Sequence, residues 1–78
     1  MYYYERRRTV GAYQTLYVSE NLKNVCDRFL KDAKYLEKTN CNRKALSKTD
    51  KKKHPEILLW IKFGDNHNNI ILRVRKGE

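Results

Sequence analysis

The sequence has little of what marks several common protein classes. Its 78 residues include two cysteines, three glycines and one proline, and the longest apolar run, 57–61, has five residues. A membrane-spanning helix needs roughly 20 apolar residues, and the N-terminal MYYYERRR lacks the apolar core of a signal peptide. We therefore expect a single small basic domain over residues 1–78, without a membrane span, located in the cytoplasm.

Few residues have the chemistry of a metal centre or a disulfide framework. Without a secretion signal, Cys26 and Cys41 are expected to be reduced thiols. The two histidines, His54 and His67, combine with these cysteines in no spacing typical of zinc sites. We therefore predict no metal and no cofactor.

Catalytic motifs are also missing. The sequence contains no phosphate-binding glycine loop, no dinucleotide-binding glycines and no nucleophile motif. His54 with Asp50 or Glu56 supplies an acid–base pair for a small ribonuclease, but nothing in the sequence fixes its geometry. We predict a protein that is not an enzyme, with a ribonuclease as a minor alternative.

What the chain has in excess is positive charge. Lys and Arg total 18 against 9 for Asp and Glu, which gives a formal net charge of +9. Such an imbalance in one small domain favours a polyanionic partner, either nucleic acid or an acidic protein surface. A chain this short also builds only a small core, which homodimerisation would extend.

The N-terminal region and the segment that follows it have the patterns of strands and a helix. Residues 2–18 are rich in Tyr, Thr and Val, which favour strands, and Gly11 interrupts them. This predicts two strands, at about 2–8 and 12–18, or one strand bent at Gly11. Residues 20–38 have apolar residues at helical spacing and a polar side of mixed charge, which predicts a helix that packs on a sheet.

The segment 39–55 is polar and strongly basic. It contains six basic residues and one acidic residue, and we interpret it as a long loop with a short helical turn near 42–47. Residues 56–76 then predict a hairpin, with turn residues at 64–69. The basic loop thus leads directly into the strand that carries Trp60.

Alternation along the hairpin separates two faces. Ile57, Leu59, Ile61 and Phe63 share one side with Ile70, Leu72 and Val74, and this apolar side should meet the helix. The other side mixes Leu58, Trp60, Lys62, Ile71, Arg73 and Arg75. Aromatic rings stack on bases and basic groups bind phosphates, so this mixed side suits single-stranded nucleic acid or RNA. A second small core, covered by the N-terminal strand or a second subunit, is an equal alternative.

These patterns combine into an α+β fold. We predict an antiparallel sheet of three or four strands, in the order β(β)αββ, with one amphipathic helix packed on one face. The leading function is non-enzymatic nucleic-acid binding through phosphate contacts and aromatic stacking. The candidate residues are Arg6, Arg8, Tyr13, Tyr17, Arg43, Lys44, Lys48, Lys51, Lys52, Lys53, Trp60, Lys62, Arg73 and Arg75.

The alternative function is a protein-interaction module. In size and charge the chain is similar to many accessory proteins of phages and mobile elements. That similarity would suit a small inhibitor that docks on an acidic surface or blocks a nucleic-acid enzyme.

Overall fold

The computed structural model describes residues 1–9, 11–39, 43–45, 47–65 and 67–77. Within these ranges the chain forms a five-stranded antiparallel sheet with one main helix, so the predicted α+β class is confirmed. The elements are, in chain order, β1 Tyr2–Arg8, β2 Gln14–Ser19, α1 Leu22–Thr39, β3 Arg43–Ala45, α2 Lys48–Lys53, β4 Ile57–Gly64 and β5 Asn69–Lys76.

The first and last strands pair at the centre of the sheet. The strand order is β2-β1-β5-β4-β3, which leaves β2 and β3 as edges. Two separate N-terminal strands are therefore present, and Gly11 lies between them with a positive φ of 132°. Glycine adopts this conformation without the steric cost that a side chain would add.

The segment 39–55 differs from the expected loop. It contains β3, which pairs with the edge of β4, and the helical turn lies further along than expected, as α2. The Ser47 hydroxyl accepts a hydrogen bond from the backbone N–H of Asp50 at 3.1 Å, which caps the start of α2. The sheet thus has one more strand than predicted, because three residues suffice to pair with an edge and leave no alternation to detect.

The core lies between α1 and one face of the sheet. Val25 and Phe29 of α1 pack against buried side chains of three strands: Tyr4, Phe63, Leu72 and Val74. The helix begins at Leu22, two residues after the predicted start at residue 20, because Asn21 Oδ1 accepts a hydrogen bond from the backbone N–H of Lys23 at 3.0 Å. Asn40 and Cys41, the expected helix end and the second thiol, lie outside the described residues.

Two β-bulges shift the alternation of side chains. In β2 the pairing moves from Tyr4–Tyr17 to Glu5–Thr15, so the consecutive residues Leu16 and Tyr17 both pack against the core. In β4 the pairing shifts between residues 57 and 59. Ile57 consequently pairs with Arg75, and Leu58 packs against the core, which reverses the faces that strict alternation gives to these two residues.

Candidate functional site

The face of the sheet opposite α1, here called the open face, is built by residues that stand across from one another in the ladder. On β5 it carries Ile71, Arg73 and Arg75, which pair with Arg7, Glu5 and Tyr3 of β1, respectively. On β4 it carries Ile57, Trp60 and Lys62, and Lys62 pairs in turn with Lys44 of β3. This face combines basic and aromatic side chains, as alternation along the hairpin indicated.

A buried carboxylate organises the centre of the open face. Glu5 is 4% exposed, and its Oε1 accepts hydrogen bonds from Nε of Arg73 and Nε of Arg75, both at 2.8 Å. Burial by itself would raise the pKa of Glu5, but the hydrogen bonds from the two arginines outweigh it and hold that pKa below its usual value. The carboxylate therefore stays ionised and fixes both guanidinium groups in place.

The same two arginines also contact tyrosine rings. The guanidinium carbon of Arg73 lies 3.4 Å from the centroid of the Tyr13 ring, and that of Arg75 lies 4.4 Å from the Tyr3 ring. Arg7 approaches Tyr13 as well, at 5.3 Å. These cation–π contacts stabilise the arginine positions further, so the centre of the face is preorganised.

A row of cations crosses the open face beside this centre. Lys44, Lys62 and Arg7 lie on β3, β4 and β1, with Ile71 of β5 completing the row. Four adjacent strands span about 14 Å at the usual strand spacing. Lys44 and Lys62 stand directly opposite one another, an arrangement of like charges that costs stability. Trp60, half-buried, lies next to the row, across from Arg73.

Five further candidates lie in β3 or in α2, the helix that follows it. Lys48, Lys51, Lys52 and Lys53 belong to α2, are all exposed, and precede the strand that carries Trp60. Arg43 instead forms an ion pair with Glu37 of α1. Because Arg43 pairs in register with the buried Phe63, it lies on the helix side of β3 and not on the open face.

Tyr17, Arg6 and Arg8 also lie on the helix side. Tyr17 pairs with Tyr4, and its ring lies 6.0 Å from the guanidinium of Arg28 in α1, so the bulge has removed it from the open face. Arg6 and Arg8 pair with Leu72 and Ile70, which belong to the helix-covered side. The fourteen candidate residues therefore lie on both faces of the sheet and on α2, and they do not form one site.

Three contributors to the open face were missed in the sequence. Alternation places Tyr3, Glu5 and Arg7 on one side of β1, but it does not reveal that β1 pairs with β5. Only that pairing brings Glu5 to the two arginines. An acidic residue within YYYERRR was the one available signal, because a lone carboxylate among basic residues is a natural partner for them.

Other chemistry in the described ranges is limited. No group of three or more His, Cys, Asp or Glu residues is placed to hold a metal ion there. His54 Nδ1 lies 3.5 Å from Glu56 Oε1, and both side chains are about half exposed. None of the described helices is both long and apolar enough to cross a membrane.

The fold and the open face together define a small α+β domain with one helix-covered and one basic, aromatic sheet face. No protein-family model matches the chain, and neither the curated proteins nor the solved structures give a significant match.

Proposed function

We propose that the chain binds nucleic acid through the open face, without catalysing a reaction, and that it prefers single strands or RNA. The observation that carries this proposal is the row of Lys44, Lys62 and Arg7 beside Trp60 on one side of the sheet. Cations at such spacing can follow a phosphate backbone, while an aromatic side chain next to them stacks on a base.

The ion pairs of the open face support the same binding surface. Among the described residues, Lys44 and Arg7 have no carboxylate within salt-bridge distance, whereas Arg73 and Arg75 are held by Glu5. We infer that the row contacts phosphates and that the Glu5-centred group forms a rigid platform beside it. Fixed donors lose less conformational entropy on binding than flexible ones.

The test is the salt dependence of oligonucleotide binding, followed by fluorescence anisotropy of labelled single-stranded DNA and RNA. In a chain with Lys44→Gln and Lys62→Gln, the slope of log K against log salt should become less negative by about 1.4. At 0.1 M salt this corresponds to an affinity about 25-fold lower. The matched control is Lys34→Gln with Lys38→Gln, two exposed lysines of α1. If both pairs of substitutions act equally, only net charge matters and the open face is not the site.

A second candidate function is docking on an acidic protein surface, which the protruding helix α2 favours. All four of its lysines are exposed and none of its residues is buried. Substituting Lys51, Lys52 and Lys53 with Gln should weaken oligonucleotide binding if α2 follows the phosphates. The alternative result is that the substitutions leave oligonucleotide binding unchanged and abolish the capture of one specific protein from nuclease-treated extract. That result would mean that α2 recognises a protein.

A further inference from the structure

The helix side of the sheet has a groove that is lined by α1 and by the strands β1, β2 and β5. Its volume is about 420 Å³, within the range of small-molecule sites. Its lining combines three arginines with apolar and aromatic side chains. These residues are Tyr4, Arg6, Arg8, Leu16, Arg28, Asp32, Tyr35, Leu36, Ile70 and Leu72.

The charge of the groove is unbalanced. Its one carboxylate, Asp32, accepts a hydrogen bond from the Tyr4 hydroxyl at 2.8 Å and lies 4.0 Å from Nε of Arg28. Arg6 and Arg8, two residues apart on the same side of β1, have no carboxylate within salt-bridge distance among the described residues. Two arginines with no acidic partner on a partly apolar floor form an attractive site for an anion.

Arg6 is half-buried and Arg8 is exposed, and both lie on the side of the sheet that elsewhere forms the core. Arg6 pairs with Leu72, which is 1% exposed, and Arg8 pairs with Ile70, on the side of the sheet that elsewhere forms the core. Partial burial of Arg6 strengthens the attraction of its guanidinium group for a counter-ion. A bound anion would offset the repulsion between the like charges of Arg6 and Arg8.

The rest of the lining indicates the body of the ligand. Leu16, Ile70 and Leu72 offer an apolar floor, and the ring of Tyr35, which is 71% exposed, lies at the rim. Since the floor is apolar and one end is cationic, a flat apolar ring that carries a phosphate fits both parts. We propose that this groove binds an organic phosphate with an aromatic body, of the nucleoside monophosphate type, with Arg6 and Arg8 contacting the phosphate.

This site is separate from the proposed nucleic-acid surface, because it lies on the opposite side of the sheet. Ligand binding at each of the two sites can be followed separately in one methyl NMR spectrum. Methyl groups of Leu16 and Ile70 report the groove, and those of Ile57 and Ile71 report the open face. Methyl NMR of the full chain is therefore the suitable measurement.

The probes are adenosine monophosphate, adenosine and inorganic phosphate. The proposal predicts saturable shifts of the Leu16 and Ile70 methyls with the monophosphate, at about tenfold or more higher affinity than with adenosine, because a charged hydrogen bond is lost with the phosphate. Inorganic phosphate should bind more weakly than the monophosphate, because it leaves the apolar floor empty. Shifts confined to Ile57 and Ile71, or equal binding of adenosine, would overturn the proposal.

Substitutions sharpen the result. Arg6→Gln and Arg8→Gln should each reduce monophosphate affinity by about tenfold. The control pair, Lys44→Gln with Lys62→Gln on the open face, should leave it unchanged. If the arginine variants keep the folded amide spectrum and bind normally, the arginines only shield apolar surface with their stems and the proposal fails.

The phosphate could come from a free nucleotide or from the end of a strand. Arg6 and Arg8 also border a neighbouring hollow of about 440 Å³, lined further by Gly11, Ala12 and Gln14, so a longer ligand has room. A trinucleotide with a 5′-phosphate, compared with one without it, separates these sources. Groove shifts that require the 5′-phosphate indicate a strand end, and binding of the monophosphate alone indicates a free nucleotide.

Discussion

Tyr4 on the helix side makes different contacts from Tyr3 and Tyr13 on the open face. On the helix side, Tyr4 is fully buried, its ring lies edge-on to Phe29 at 6.1 Å, and its hydroxyl donates to Asp32. Burial, followed by that hydrogen bond, raises the pKa of Tyr4 well above its usual value. On the open face, Tyr3 and Tyr13 instead lie against arginines.

The difference follows from what covers each face. Where α1 excludes water, a tyrosine contributes apolar area and needs one partner for its hydroxyl. Where no helix lies, the same residue type contacts guanidinium groups, and a buried carboxylate balances their charge. One face therefore stabilises the fold chiefly by burial, and the other holds its charges by mutual contacts that leave part of the surface accessible.

The largest expected effect is on the helix side. Phe29→Ala should lower the free energy of unfolding by about 3–5 kcal/mol, because it removes a large buried ring from a small core. Chemical denaturation measures this loss. The control is Leu30→Ala at the neighbouring position, which is 50% exposed and should cost less than about 1 kcal/mol. Equal losses would mean that α1 does not pack as described.

The next largest effect is expected at Glu5 of the open face, where one substitution should change stability and binding in opposite directions. Glu5→Gln should lower the free energy of unfolding by about 2 kcal/mol, because two partly buried arginines lose their counter-charge. It should also strengthen oligonucleotide binding, since the gain from removing a negative charge exceeds the entropy cost of freeing the two arginines. Glu37→Gln, which breaks the exposed pair with Arg43, should cost less than about 1 kcal/mol. If Glu5→Gln leaves the free energy of unfolding unchanged, Arg73 and Arg75 do not depend on Glu5, which would contradict the platform described here.

The loss of stability at acid pH depends on the same carboxylate, Glu5. The pKa of Glu5 is lowered in the folded state, so its contribution is complete above the unfolded value of about 4.3 and is lost as pH falls through the folded pKa. The difference in unfolding free energy between the wild-type chain and Glu5→Gln should therefore shrink below about pH 4.3. Denaturation curves from pH 3 to pH 7 measure it, and a constant difference would exclude this linkage.

The smallest expected effect concerns the tyrosine–arginine contact. Tyr13→Leu should cost about 0.5–1 kcal/mol, because it replaces the ring beside Arg73 with an aliphatic group of smaller area. Tyr35→Leu, at a ring that is 71% exposed, is the matched control and should leave stability nearly unchanged. If the two substitutions cost the same in denaturation experiments, the contact between Tyr13 and Arg73 adds no stability.

The sequence predicts the parts of this architecture that depend on long, regular patterns. The helix follows from its apolar stripe, and Trp60, Lys62, Arg73 and Arg75 reach one face because their hairpin alternates regularly after Trp60. Tyr17 lies on the helix side although strict alternation would put it on the same side as Tyr13, because a bulge adds one residue and reverses the phase of alternation beyond it.

The remaining features arise from contacts between distant parts of the chain. The pairing of β1 with β5 joins residues 62 to 74 positions apart, and it alone brings Glu5 to Arg73 and Arg75. Arg43 lies on the helix side because β3 pairs with β4 in one register. Local propensity carries no information on strand order, so these side chains could not be assigned from the sequence.

The most direct test of the open face as a binding surface is the fluorescence of Trp60, the only tryptophan in the chain, during titration with single-stranded DNA and RNA at two salt concentrations. We expect saturable quenching, with an affinity that falls steeply at the higher salt, because a base stacks on Trp60 while neighbouring cations contact phosphates. An unchanged emission spectrum, recorded while anisotropy shows that the oligonucleotide is bound, would mean that the open face is not the binding surface.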